Sequence, residues 1–299
     1  MHHLEKARQA DVSDPHPVSA PSARHTRHRD GLRQAVVPIA VAAAIAGGFL
    51  GSGAVNGRAI AETQAGALGP SGSLLAPASP AFLIWTPLYA GLVAYAVWQL
   101  LPSQRRDPRH RAAGWWLAAV AALEGLWIVA AQLLPLWTTV VVMGLLVAAA
   151  YRAFRGAVVT RRGPSVLGAL LLHGLAGAHL GWGLAAGVAN AAAWIETLHL
   201  GGWAGDGGGV LALVGVCAAG IAVSARSGWT VAMPLAIAWA AAWIAVERLT
   251  GEPHNVPIAI AAIAAATLLA VVSVAMRVAM LRAGPIVARE EPGDRDARQ

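Results

Sequence analysis

Three apolar stretches of this chain carry polar and aromatic side chains at helical spacing, and their chemistry suits a binding pocket better than a reaction centre. On the second stretch, Trp85 and Tyr89 stand four residues apart, so their rings share one helical face. On the third, Glu124 lies near the middle, with Trp127 three residues on. On the fifth, His179, Trp182, Ala186, Asn190 and Trp194 fall within about 120° of one another on a helical wheel and form one mixed stripe. His173 falls outside that stripe and is expected to pack or to face lipid. A carboxyl group at mid-membrane depth is costly if ionised and unpaired, so Glu124 must face protein or water, or stay protonated. Buried Asn, His and Glu also serve as hydrogen-bonding glue between helices. What favours a site is convergence, because three helices each bring an aromatic and a polar group toward one half of the membrane.

Catalytic patterns are missing. The chain has no HExxH, no GxSxG, no Walker loop and no paired intramembrane carboxylates, so no enzyme is expected. The glycine run Gly207–Gly209 reads as a turn, and Glu196, Asp206, His199 and His254 have no metal-ligand spacing. The only lysine, Lys6, precedes the apolar region, which excludes an intramembrane Schiff base. The single cysteine, Cys217, excludes an internal disulfide and a multi-cysteine metal site.

The elements that must position these groups are membrane helices. The 299 residues are 57% hydrophobic and 12% charged, and the mean hydropathy is +0.57. A bilayer core of roughly 30 Å needs about 20 apolar residues per helix. Eight stretches qualify: 35–55, 81–101, 112–134, 138–153, 165–195, 208–225, 229–246 and 256–279. The fourth and sixth look short, and the fifth looks long enough to tilt or project. The expected fold class is therefore all-α, a polytopic integral membrane bundle of about eight transmembrane helices.

Arginine marks every second connection. Arg24, Arg27, Arg29 and Arg33 precede the first stretch, Arg105, Arg106, Arg109 and Arg111 follow the second, and Arg152, Arg155, Arg161 and Arg162 follow the fourth. Arg226 follows the sixth, and Arg277, Arg282 and Arg289 flank the last. The positive-inside rule then puts both termini in the cytoplasm of a plasma-membrane protein. The pI near 10.9 reflects topology and contact with anionic lipid rather than nucleic-acid binding. Twelve tryptophans fit an interfacial belt, with Trp98, Trp115, Trp116 and Trp229 at cytoplasmic ends and Trp137, Trp203 and Trp243 opposite. Residues 1–33 read as a disordered basic arm and 283–299 as a polar tail. Ala-rich faces at 238–242 and 259–266 suit close helix packing or a homodimer.

These residues resemble a known family. The Trp-Thr-x-Leu-Tyr run at Trp85, Thr86, Leu88 and Tyr89, with Trp182, Ala186, Asn190 and Trp194 at spacings of four, is similar to the signatures of the tryptophan-rich sensory proteins, the TspO and translocator-protein family. The segment from Trp85 to Arg106 looks closest to a larger bacterial branch with extra helices. The resemblance covers about residues 35–196, giving a five-helix TspO-like bundle over 34–196 and a three-helix extension over 197–282. Two departures stand out. Glu124 occupies the usual place of an Asn, and Ala178 and His179 replace a Pro-Tyr pair.

The resemblance implies an aromatic cavity, lidded by the first connection, that binds a tetrapyrrole such as porphyrin or heme, or another planar apolar ligand. Asn190 or His179 could hold a propionate or an axial position. Independently, the first connection (56–79) contains Gly and Pro and lies on the same side as Trp85, Asn190 and Trp194, where it could gate a vestibule. The alternative is a proton-coupled secondary transporter of a small molecule that uses Glu124 and His179.

Overall fold

The computed structural model describes residues 23–54, 58–161, 165–199 and 205–283. Among them the protein is an all-helical membrane bundle with no strand. The eight long helices are α1 (Ala23–Gly51), α2 (Trp85–Leu100), α3 (Pro108–Leu133), α4 (Leu136–Val159), α5 (Val166–Thr197), α6 (Asp206–Arg226), α7 (Ala232–Thr250) and α8 (Val256–Ala283). Each is long and apolar enough to cross a bilayer.

Several boundaries differ from the hydropathy reading, and for one reason: hydropathy measures the bilayer, whereas helices run past it. Helix α1 begins at Ala23, inside the segment expected to be a disordered arm, while residues 1–22 and the tail from 284 lie outside the described residues. Helix α4 is not short. It continues through Arg152 and Arg155 to Val159, 24 residues in all. The Gly207–Gly209 run is no turn but the first turn of α6. Helix α5 spans 32 residues and contains a π-helical segment, Ala169–Gly174. Local signals mark some ends. Asp107 caps α3 by accepting from the Arg109 amide, with Pro108 in the first turn, and Gly228 at φ +74° turns the chain between α6 and α7.

Cross-connections sort the loops into two ends. At the basic end, Asp30 of α1 pairs with Arg111, and Arg33 Nη2 donates to the Arg105 carbonyl at 2.8 Å. Arg161 and Arg277 donate to the Ser227 and Gly228 carbonyls, which brings the 4–5 and 6–7 connections to the end of α8. At the other end, Gln64 donates to the Ala131 and Leu134 carbonyls, Arg248 donates to those of Pro70 and Ser73, and Asn255 donates to Asp206. The alternation expected from the arginines is thus present in the contacts.

Small residues bring the backbones together, as in lipid, where packing rather than water exclusion drives association. A Cβ at Gly47 would stand 3.2 Å from Gly125 Cα, so α1 and α3 approach nearly backbone to backbone. Gly181 of α5 faces the Met233 carbonyl of α7. One core joins all eight helices, from Val37 through Ala176 to Cys217, Met233 and Leu269. The alanine faces are largely consumed inside the chain: Ala238, Ala240, Ala241, Ala259, Ala262 and Ala265 are all buried.

The tryptophan belt is partial. Trp137 is half exposed, and Arg152 lies 5.0 Å above the Trp116 ring. Trp98, however, is buried against the His110 ring at 4.6 Å with the Arg109 guanidinium 5.6 Å above it. It therefore belongs to a polar-aromatic plug between α2 and α3, in which His110 also meets Tyr95 and Gln104. Trp203 lies outside the described residues.

Candidate ligand-binding cavity

A cavity of about 670 Å³ opens between α1, α2, α3, α4, α5 and α7 beneath the first connection. Its walls are almost wholly apolar, and its size is that of small-molecule sites. An aromatic cluster forms one side. The Trp85 and Tyr89 rings stack at 5.4 Å and 22°, as their i, i+4 spacing predicts. Trp182 of α5 meets Trp85 edge to face at 6.0 Å and Phe82 at 5.9 Å. Phe82 arrives on the turn of 3-10 helix Ser79–Ile84 that leads into α2. Such edge and offset contacts leave ring faces free to take a flat partner.

Polar groups are few and placed at two depths. Trp127 Nε1 donates to Asn190 Oδ1 at 3.2 Å, which ties α3 to α5 across the cavity wall. Deeper, Glu124 and His179 are 3% and 1% exposed, and His179 Nε2 lies 3.2 Å from Glu124 Oε1 without hydrogen-bond alignment. His179 Nδ1 donates to the Leu175 carbonyl at 2.8 Å. Trp182 Nε1 is also buried and has no hydrogen-bond partner among the described residues.

Six of the eight residues singled out from the sequence line the cavity: Trp85, Tyr89, Glu124, Trp127, Trp182 and Asn190. Two do not. Trp194 is rotated away from the lining sector of α5, where Ala185, Ala186, Ala189, Asn190 and Ala193 face the cavity. His179 lies behind the wall, with Nδ1 donating to the Leu175 carbonyl and Nε2 3.2 Å from Glu124 Oε1, and it does not line the cavity. His173, expected to pack or to face lipid, packs: its Nδ1 donates to the Gly168 carbonyl at 2.8 Å and Arg161 Nε donates to its other nitrogen at 3.4 Å. Trp239 and Trp243 make helix contacts rather than cavity contacts: they meet edge to face at 5.6 Å, and Trp239 Nε1 donates to the Ala81 carbonyl. Among the described residues no group of three His, Cys, Asp or Glu side chains could hold a metal ion.

Sequence reasoning missed two parts of the site. The first is the detail of the cover, where Leu68, Pro70, Leu75 and Pro77 line the cavity from above. The second is α7, which contributes Ala240 and Ile244 to the wall although it had been set apart as an extension. Neither carries a motif; only the Gly and Pro content of the connection hinted at the first.

A family model described as TSPO-like protein matches residues 34–275. The match runs well beyond the five helices on which the resemblance was drawn and reaches into α8. No curated protein matches the chain, and no solved structure does. With the aromatic signatures of α2 and α5 gathered around one cavity and the match spanning all eight helices, the chain belongs to the TSPO-like protein family.

Proposed function

We propose that this protein is a ligand-binding sensor or carrier of the membrane whose cavity takes planar apolar molecules, tetrapyrroles among them. The observation that carries the reading is the cavity of about 670 Å³ walled by Trp85, Tyr89, Trp127 and Trp182. Indole and phenol faces stack on a flat macrocycle, and burial of its apolar surface supplies most of the affinity. With His179 outside the cavity lining, stacking rather than iron ligation holds the ligand, and a free-base porphyrin binds about as well as heme. The basic end faces the cytoplasm of the plasma membrane, so the covered cavity mouth faces outward. A homodimer, if formed, uses surfaces other than the buried alanine faces of α7 and α8.

Titration of the detergent-purified protein with protoporphyrin IX and heme, followed by tryptophan fluorescence, tests this reading. Saturable quenching is expected, weakened in Trp182→Ala and in Trp85→Ala. Linear quenching that is the same in all variants would refute it.

One observation favours a second reading, proton-coupled transport: the buried Glu124–His179 contact, in which Glu124 lines the cavity and His179 lies behind it. Uptake into proteoliposomes should then follow an imposed pH gradient and fail in Glu124→Gln. Gradient-independent uptake removes that reading.

A further inference from the structure

The cavity cover is held by a buried cation that belongs to none of the aromatic signatures. Arg248, in the last turn of α7, has no exposed surface. Its Nη2 donates to the Pro70 carbonyl at 2.8 Å and its Nη1 to the Ser73 carbonyl at 3.2 Å, with the Glu252 carbonyl at 3.4 Å. The nearest carboxylate, Glu247 Oε1, is 3.8 Å away. A buried guanidinium is tolerated only where such acceptors surround it, and hydrogen bonds from a charged donor are about twice as strong as neutral ones. Here two of the three carbonyl acceptors, those of Pro70 and Ser73, belong to the covering segment itself.

The rest of that segment is anchored at its two ends. Gln64 holds its start to the Ala131 and Leu134 carbonyls, and the Ala78 amide holds its end to the Trp243 carbonyl. Between them, Arg248 supplies hydrogen bonds from α7 to the middle, at the carbonyls of Pro70 and Ser73. Leu68, Gly69 and Pro70 form the cavity roof at this point. The carbonyls are backbone groups, so no side-chain motif in the cover could reveal the contact.

We propose that Arg248 is the latch of the cavity cover, a positioning residue through which α7 sets how often the roof opens. It touches no ligand. It acts by fixing the carbonyls of Pro70 and Ser73, and so gives the helices beyond α5 a task in gating. That ligands use the opening rests on the binding function proposed above; the latch itself does not.

The first test therefore needs no ligand. In a Cys217→Ser background, Ala186→Cys places a thiol on the cavity wall, and its labelling by a water-soluble maleimide reports roof opening. Arg248→Met, which keeps length and loses the donors, should speed labelling about tenfold or more. Arg248→Lys should restore part of the protection, and Arg248→Gln should fall between them. General loosening is read in the chain that keeps Cys217, which is buried in α6 away from the roof. Its labelling should not change in any Arg248 variant. Unchanged labelling at position 186, or an equal rise at Cys217, would overturn the latch. Should Arg248→Met fail to fold, the Lys and Gln variants decide by the same two criteria.

A second readout separates a latch from a mere loss of structure. With protoporphyrin IX as probe, opening a latch raises association and dissociation rates together and moves Kd little. A damaged site raises dissociation alone, which would overturn the proposal. Absence of protoporphyrin binding would refute the tetrapyrrole reading and leave the labelling result to judge the latch.

Discussion

Alanine at Gly181 should loosen the join between α5 and α7, whereas alanine at Gly215 should not. Both glycines sit inside helices, so the intrinsic gain of about 1 kcal/mol from replacing glycine is common to the two and cancels in their difference. What remains is packing. A Cβ at Gly215 meets nothing within 4 Å, but one at Gly181 would fall inside contact distance of the Met233 carbonyl oxygen and 3.0 Å from Ala236 Cβ. A backbone carbonyl cannot swing aside as a side-chain tip can, so α7 must retreat bodily. Overpacking costs about 1–3 kcal/mol, and a backbone clash belongs at the upper end, so about 3 kcal/mol should separate the variants. For a chain of 299 residues that is roughly 5 °C in unfolding midpoint. Thermal unfolding in detergent, read by a maleimide dye that reaches buried Cys217 only on opening, gives the midpoints. Retreat of α7 also withdraws Ala240 and Ile244 from the cavity wall, so Gly181→Ala should weaken porphyrin quenching. Equal midpoints would refute the argument that the close approach of α5 and α7 depends on this glycine.

Trp127→Phe keeps an aromatic ring but removes the donor to Asn190, which should cost about 1 kcal/mol of stability by thermal unfolding. A double variant with Asn190→Ala that costs the sum of the two single changes would show that the pair is not coupled. Asp107 should give α3 an acid-sensitive cap. Burial pushes its carboxyl up, but the hydrogen bonds from Arg109 outweigh this and hold it below the usual carboxylate range. A depressed folded-state value means the stabilisation is complete above the unfolded value near pH 4 and fades as pH falls through the folded one. The wild type should therefore lose about 1 kcal/mol relative to Asp107→Asn on acidification, measured by thermal unfolding between pH 5 and 3. A difference that does not change over that range would count against it.

The parts of this architecture that could be read in advance depend on local periodicity. Eight apolar runs give eight helices because a bilayer demands the same length of each. Trp85 and Tyr89 stack because four residues make about one turn. Contacts that depend on azimuth and depth together were less legible. Relative to Trp182, Trp194 is turned by about 120°, past the sector that faces the cavity, although both lie on one broad stripe. His179 has an azimuth inside that sector, but it lies nearly a turn deeper, beneath the cavity floor. The role of Arg248 is not legible in the sequence because its partners are carbonyls, which every sequence possesses.

The Glu124–His179 contact shows why two unusual residues can be found singly and yet not understood singly. His179 Nδ1 faces a carbonyl oxygen, which can only accept, so that nitrogen carries a hydrogen. His179 Nε2 stands 3.2 Å from Glu124 Oε1, close but not aligned as a hydrogen bond, and among the described residues neither Glu124 oxygen has another partner. Both side chains are almost without solvent, so each is the polar neighbour the other has in a low-dielectric interior. The two departures from the family pattern meet in space, so either alone would leave a buried polar group without its neighbour. As a pair they put one polar contact at the cavity: Glu124 lines an otherwise largely apolar wall, and His179 backs it from behind.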